Sequence, residues 1–253
     1  MLIDRPIDLK LEAPIRHGWA KDDLSQFLTL AEQQGWATFV QQRQAFGLLT
    51  SVEALLRSAA SMLTNTEDIV PALLLLRTHG AYLASVRLAI GTQCPDAYAV
   101  MRVCLENALY AFYIHRTPSA LAVWVQRHQS AQHKKAARQE FAHSRLIECL
   151  KKEQKRTAQA IEELYERTID LGAHPNERSI SANMKMLQEE VRLNHLTDDA
   201  LVIKMALKTA CDVGIASVAL FRNVFRERFD LSGLSDKIDG IIKDLGATTC
   251  FKR

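Results

Sequence analysis

The sequence predicts an all-α protein, a multi-helix bundle of about seven to nine helices with no sheet. Three observations carry this. Glycine and proline are scarce, 10 and 6 in 253 residues, too few turn formers for a strand-rich fold. Apolar positions recur with helical spacing, as in Phe39, Phe46, Leu49, Val52, Leu55 and Leu56. No segment sustains the period-2 alternation with β-branched enrichment of a half-buried strand.

Residues 1–20 read as irregular, because Pro6 and Pro14 keep a helix from forming, and residues 21–253 read as one helical-bundle domain. Asp22 or Asp23 caps a helix starting near Leu24, with Gly35 as a point of interruption before the pattern resumes from Trp36 to Met62. Asn65 and Thr66 stop that pattern and cap the next. Pro71 falls in a first helical turn, where its missing N–H costs little, and this helix runs to about Gly91. Pro95 and Asp96 mark another first turn, on a helix carrying Tyr98, Met101, Leu105, Leu109 and Phe112 and ending near Arg116. Thr117-Pro118 repeats the signal. From 119 to 171 no Pro or Gly appears. An unbroken helix of that length is about 80 Å long at 1.5 Å per residue, more than a compact domain covers. A bend or break is therefore expected, between Lys134 and His143, where the apolar stripe is thinnest. Gly172 stops this segment. Ser179 or Ser181 starts a short helix through Val191, Thr197 or Asp198 caps a long one from Ala200 to about Arg228, and Ser235 caps a last one to Leu245.

Composition narrows the class. Apolar residues at 48% and charged residues at 24% are those of an ordinary globular protein, not a disordered one. Cys94, Cys104, Cys149, Cys211 and Cys250 are scattered, odd in number and form no CxxC pair, which reads as reduced thiols in the cytoplasm. The early charges Asp4 and Arg5 are not those of a secretory signal, and the apolar run Leu73–Leu76 is ended by Arg77 and His79, so no membrane association is expected. Trp19, Trp36 and Trp124 read as packing anchors, and Cys104 and Cys211 as core residues.

The net charge of +3 is mild, but its distribution is uneven. From Arg127 to Arg156 nine Lys/Arg face three acids, Glu140, Glu148 and Glu153. Such a run either tracks a phosphate backbone or forms a solvated helical arm. Its only aromatic is Phe141, so base stacking on it is not expected.

The stretch Glu166 to Asn176 carries the candidate chemistry. A charged helix ends at Gly172, and His174 follows, held by Pro175. Arg167 stands six intervening residues before His174, and Asn176 and Arg178 lie just beyond. A histidine can take a proton from a ribose 2′-hydroxyl while an arginine holds the phosphate, with no metal or cofactor. The same pattern also fits an ordinary helix stop. Arg102 and Glu106, four apart on a strongly apolar helix, either orient one another toward a site or stitch two helices together, with Asn107 and Tyr110 near either network. Glu140 and His143 form one Glu-x-x-His, but a di-iron site needs a second copy and two further glutamates, so no metal site is expected. No Gly-rich phosphate loop, Walker pattern or nucleophile elbow occurs.

Residues 92–178 resemble a set of all-helical bacterial proteins related to the HEPN superfamily. The helix Ala99 to Ala108 is similar to that group's Arg-x-x-x-Glu helix, with Arg102 and Glu106 in the matching places. A long helix follows, then Gly172-Ala173-His174-Pro175 at a helix end. Arg167 to His174 fits the widest spacing of the superfamily's Arg-x4–6-His motif. The resemblance implies a helical bundle and a homodimer with Arg/His sites facing each other. For active members it implies metal-independent RNA cleavage in toxin or phage-defence roles. His174 is then the acid or base, Arg167 the phosphate stabiliser, Asn176 and Arg178 substrate-binding, and Arg102 and Glu106 their support. Thr168, directly after the motif arginine, is less polar than is usual in active members. Other HEPN-like proteins bind or regulate without catalysis, so the second expectation is a non-catalytic module that binds a protein partner.

Overall fold

Asp22 opens the first helix by accepting the backbone N–H of Ser25 at 2.9 Å, the cap its position suggests. The computed structural model describes residues 17–247 apart from 176, 182, 183, 188 and 189. The first half of the chain forms α1 (Asp23–Gln41), α2 (Arg43–Ser61), α3 (Ile69–Ile90) and α4 (Cys94–Arg116). Gly35 does not interrupt α1: it lies buried inside it, against Ile90 of α3, and the break falls at Gln42. The segment 118–171 is divided as its length requires. It forms α5 (Pro118–Val125), a 3-10 turn (Gln126–His128), α6 (Ala131–Glu140), α7 (His143–Glu153), α8 (Lys155–Thr168) and the start of a π turn (Ile169–Ala173). One break, at residues 141 and 142, lies in the expected window, and others fall at 126–130 and 154.

After the π turn come α9 (Glu177–Ser181), a hairpin of β1 (Met184–Leu187) and β2 (Glu190–Leu193), then α10 (Ala200–Val224), α11 (Arg226–Leu231) and α12 (Leu234–Ala247). The hairpin is the departure from expectation: the short helix read through Val191 ends at Ser181. The antiparallel register sets Met184 opposite Leu193, Lys185 opposite Arg192 and Met186 opposite Val191. Four residues per strand are too few to show a period. Asp199 caps α10 by accepting from Leu201 and Val202, and the hydroxyl of Ser235 bonds Asp230 within a helix that has already begun at Leu234.

The core runs from α2 to α12. α4 is its centre, with Met101, Cys104, Leu105, Ala108, Leu109 and Phe112 fully inaccessible and α3, α10 and α8 packed on it. Burying each large apolar side chain of this kind contributes about 1.5–3 kcal/mol. α10 crosses α2 and α3 so closely at Gly214 that an added Cβ would meet Val52 at 2.4 Å and Tyr82 at 2.8 Å. Tyr82 is buried there without penalty, because its hydroxyl donates to the Leu49 carbonyl at 2.9 Å.

Among the described residues, α3 alone is long and apolar enough to cross a bilayer by length and composition. In the fold it is a core helix packed on α4, α10 and α2. Trp124 packs against the core, whereas Trp36 and Trp19 are exposed and do not anchor it.

Candidate functional site

Side chains from α4, α7, α8 and the chain after the π turn meet at one face of α4. Arg102 and Glu106 stand one helical turn apart, and Arg102 Nε donates to Glu106 Oε1 at 2.8 Å. α8 lays its buried stripe, Ala158, Ile161, Tyr165 and Thr168, against the body of the protein. Tyr165 on that stripe donates its hydroxyl to the same Glu106 oxygen at 3.3 Å. One face of the Tyr165 ring takes the Arg102 guanidinium, 4.8 Å from the ring centroid. His143, at the start of α7, also stacks on Tyr165, with centroids 3.6 Å apart and planes within 12°.

Gly172 closes the arrangement. A Cβ at this position would sit 1.9 Å from the Pro95 carbonyl oxygen, so only glycine lets the π turn lie against the first turn of α4. That contact carries the chain to His174, whose Nε2 meets Arg102 Nη1 at 2.8 Å. A guanidinium only donates, so His174 Nε2 is the acceptor in this contact. The result is an exposed histidine held by an arginine, backed by a carboxylate, a phenol and a second histidine.

The local charges follow from this packing. Burial opposes the charge of Arg102, but the hydrogen bond and charge of Glu106 outweigh it and hold the guanidinium above its ordinary range. Burial, and then the Glu106 carboxylate, push the Tyr165 phenol up to about 12. Burial lowers His143 below the usual histidine value against the pull of Glu162, Glu166 and Glu106, and its Nε2 is shielded from solvent without a partner.

The structure brings His174, Arg102 and Glu106 together and places Arg167 elsewhere. Arg167 is two residues beyond Tyr165 and thus on the far side of α8. Its Nη1 lies 3.6 Å from Asp212 of α10, which Lys208 also holds at 2.6 Å. It lines a cleft of about 540 Å³ with Glu162, Glu163, Glu166 and Asp170, an acidic neighbourhood that repels phosphate. Among the described residues Arg167 and His174 make no contact. Asn176 and the Arg178 side chain lie outside what is described. Glu140 and His143 diverge: Glu140 accepts from Tyr113 at 2.7 Å and pairs with Arg145 at 3.0 Å, while His143 turns to Tyr165. Tyr165 and His143 were not read from the sequence as site residues. The available signal is a tyrosine on an otherwise apolar buried stripe, since a buried phenol needs a partner.

No protein-family model matches the chain, and no curated protein or solved structure matches it.

Proposed function

We propose that the chain is a cytoplasmic, HEPN-like helical protein that binds RNA at the Arg102–His174 site and cleaves it without a metal, in a toxin or defence role. The observation that carries this is the 2.8 Å contact between Arg102 Nη1 and His174 Nε2 at a partly exposed site. Arg102 takes the phosphate-stabilising role that the sequence spacing had suggested for Arg167. A phosphate oxygen replaces His174 on the Arg102 donor and frees Nε2. His174 then takes the proton of the ribose 2′-hydroxyl, the 2′-oxygen attacks phosphorus, and the P–O5′ bond breaks. The imidazolium returns the proton to the departing 5′-oxygen, leaving a 2′,3′-cyclic phosphate and a 5′-hydroxyl. Glu106 and Tyr165 fix the guanidinium plane so that its donors face the developing charge. The test is RNA cleavage in EDTA by the wild type, His174→Ala and Arg102→Ala. Cleavage by the wild type alone supports the reading, and no cleavage by any of the three overturns it.

A second reading, a non-catalytic interaction module, is favoured by the outer surface of α1. Leu24, Leu28, Trp36 and Val40 recur every fourth residue, are 68%, 40%, 63% and 64% exposed, and form one ridge broken only by Glu32. Ridges of this spacing pack against their own copies in helix pairs. An antiparallel second copy of this chain places Asp22 and Asp23 near Arg43, which gives charge complementarity at both ends. Sedimentation of the wild type and Trp36→Glu decides it: a dimer that the substitution dissociates supports the ridge, and a monomeric wild type retires it.

A further inference from the structure

We infer that α6 and the turn before it form the surface that holds the RNA backbone beside the Arg102–His174 site, an inference that rests on the RNA reading above. From Asn107 to Gln139 there is no Asp or Glu, while Arg116, Arg127, Lys134, Lys135 and Arg138 fall in the same span. Three cations flanking α6 are neutralised: Arg116 pairs with Glu153 at 2.9 Å, Arg145 with Glu140 at 3.0 Å and Lys151 with Glu162 at 3.0 Å. Among the described residues Lys134, Lys135 and Arg138 have no carboxylate partner. α6 is stabilised mainly at its cap, where the Ser130 side chain accepts from the His133 N–H, and it buries only Ala137. Its cations therefore stand in solvent with their charge unspent. Arg127, in the preceding turn, has its Nε shielded without a partner.

The position of α6 connects this charge to the site. Phe141, directly after α6, packs on Tyr110 with centroids 4.7 Å apart. Tyr110 is one turn along α4 from Glu106, about 6 Å, on the same face. His143 follows two residues later and stacks on Tyr165. A strand lying along α6, about 15 Å long, thus leads toward Arg102 and His174.

The chemistry of α6 selects the partner. Membrane-surface helices pair a basic face with Trp, Phe or Leu on the other, and between 131 and 140 α6 has only alanines as apolar residues. It has no aromatic for stacking either, so it holds phosphate without reading bases. In-line attack by the 2′-oxygen requires a flexible strand, so the substrate is single-stranded RNA without strong sequence preference.

The test is fluorescence anisotropy of a labelled, non-cleavable 2′-O-methyl oligouridine with the wild type and with K134A/K135A/R138A, from about 50 to 200 mM salt. Removing three phosphate contacts should weaken binding at least tenfold at low salt and flatten the slope of log K against log salt by about 2. Matching thermal melts establish that the exposed substitutions leave the fold intact. An unchanged slope overturns the proposal, as does capture of the wild type by phosphatidylserine vesicles with no RNA binding. The two readings fail separately. Salt-sensitive RNA binding carried by α6 without cleavage retires the catalysis and keeps the surface, whereas His174-dependent cleavage with an unchanged slope keeps the site and overturns the surface.

Discussion

Arg102 and His174, 72 residues apart in sequence, meet at 2.8 Å, and the meeting depends on a third position, Gly172, which alone lets the chain lie against Pro95. The arginine has three neighbours: Glu106 on Nε, His174 on Nη1 and the Tyr165 ring, its centroid 4.8 Å from Cζ. An ammonium is a point donor and cannot serve all three directions. In the proposed cleavage, Arg102→Lys keeps the charge and is expected to lower kcat by about 10²–10³, the cost of removing one oriented donor to a developing oxyanion. Cleavage at the wild-type rate would show that charge alone suffices.

Gly172→Ala tests the placement of His174. The added Cβ collides with backbone, which cannot swing aside as a side chain does. The expected cost is about 1–3 kcal/mol of stability, as for other overpacked sites, read from urea unfolding. Cleavage should fall further than stability alone explains, because His174 moves off Arg102. A variant as stable and active as the wild type removes the close approach from the argument.

The sequence and the structure agree where the causes are local. Arg102–Glu106 is an i,i+4 pair, and the cap at Asp22 and the first-turn Pro95 are read from neighbours, so all are visible in a string of residues. The partner of His174 is not, because Arg-x6-His spacing says nothing of which side of α8 each residue takes. Two residues separate Tyr165 from Arg167, and that offset sends one toward Arg102 and the other toward Asp212. The length of 118–171 forced a break, yet only tertiary packing decided that there would be three. The hairpin at 184–193 escaped because four-residue strands show no period.

Tyr165→Phe separates stacking from hydrogen bonding. The ring keeps its contacts with Arg102 and His143, and the hydroxyl's contacts to Glu106 and Arg102 are lost. A loss of about 1 kcal/mol is expected, against about 3–5 kcal/mol for Tyr165→Ala, which also empties the space. Combined with Glu106→Ala, the Phe variant should be non-additive, because both changes remove the same interaction. Additive losses in thermal unfolding would mean that the hydroxyl acts independently of Glu106.

Thr92 offers a stabilising substitution. It precedes α4 with φ at 62°, a left-handed conformation that a β-branched residue resists, and its hydroxyl is buried without a partner. Its carbonyl accepts from Thr197 at 3.0 Å, which ties the start of α4 to the loop before α10. Thr92→Gly keeps that backbone bond and removes both penalties. It should raise stability by about 1 kcal/mol, at the low end of such strain, and an unchanged or lower melting temperature would refute the strain.

His143 gives the pH dependence. Burial lowers it in the folded protein from its unfolded value of 6.5. Between the two values the unfolded chain binds a proton that the folded one does not, so stability rises with pH through this window. The contribution is complete above 6.5 and is lost as pH falls from there to the lower folded value. His143→Phe keeps a ring on Tyr165 but cannot titrate. The difference in unfolding free energy between wild type and His143→Phe should therefore shift against the wild type as pH drops below 6.5 and level off once both states of the wild type are protonated. Carboxylates elsewhere titrate equally in the two proteins and cancel in the difference. A difference that stays flat across this range would mean that the His143–Tyr165 stack exerts no control over protonation.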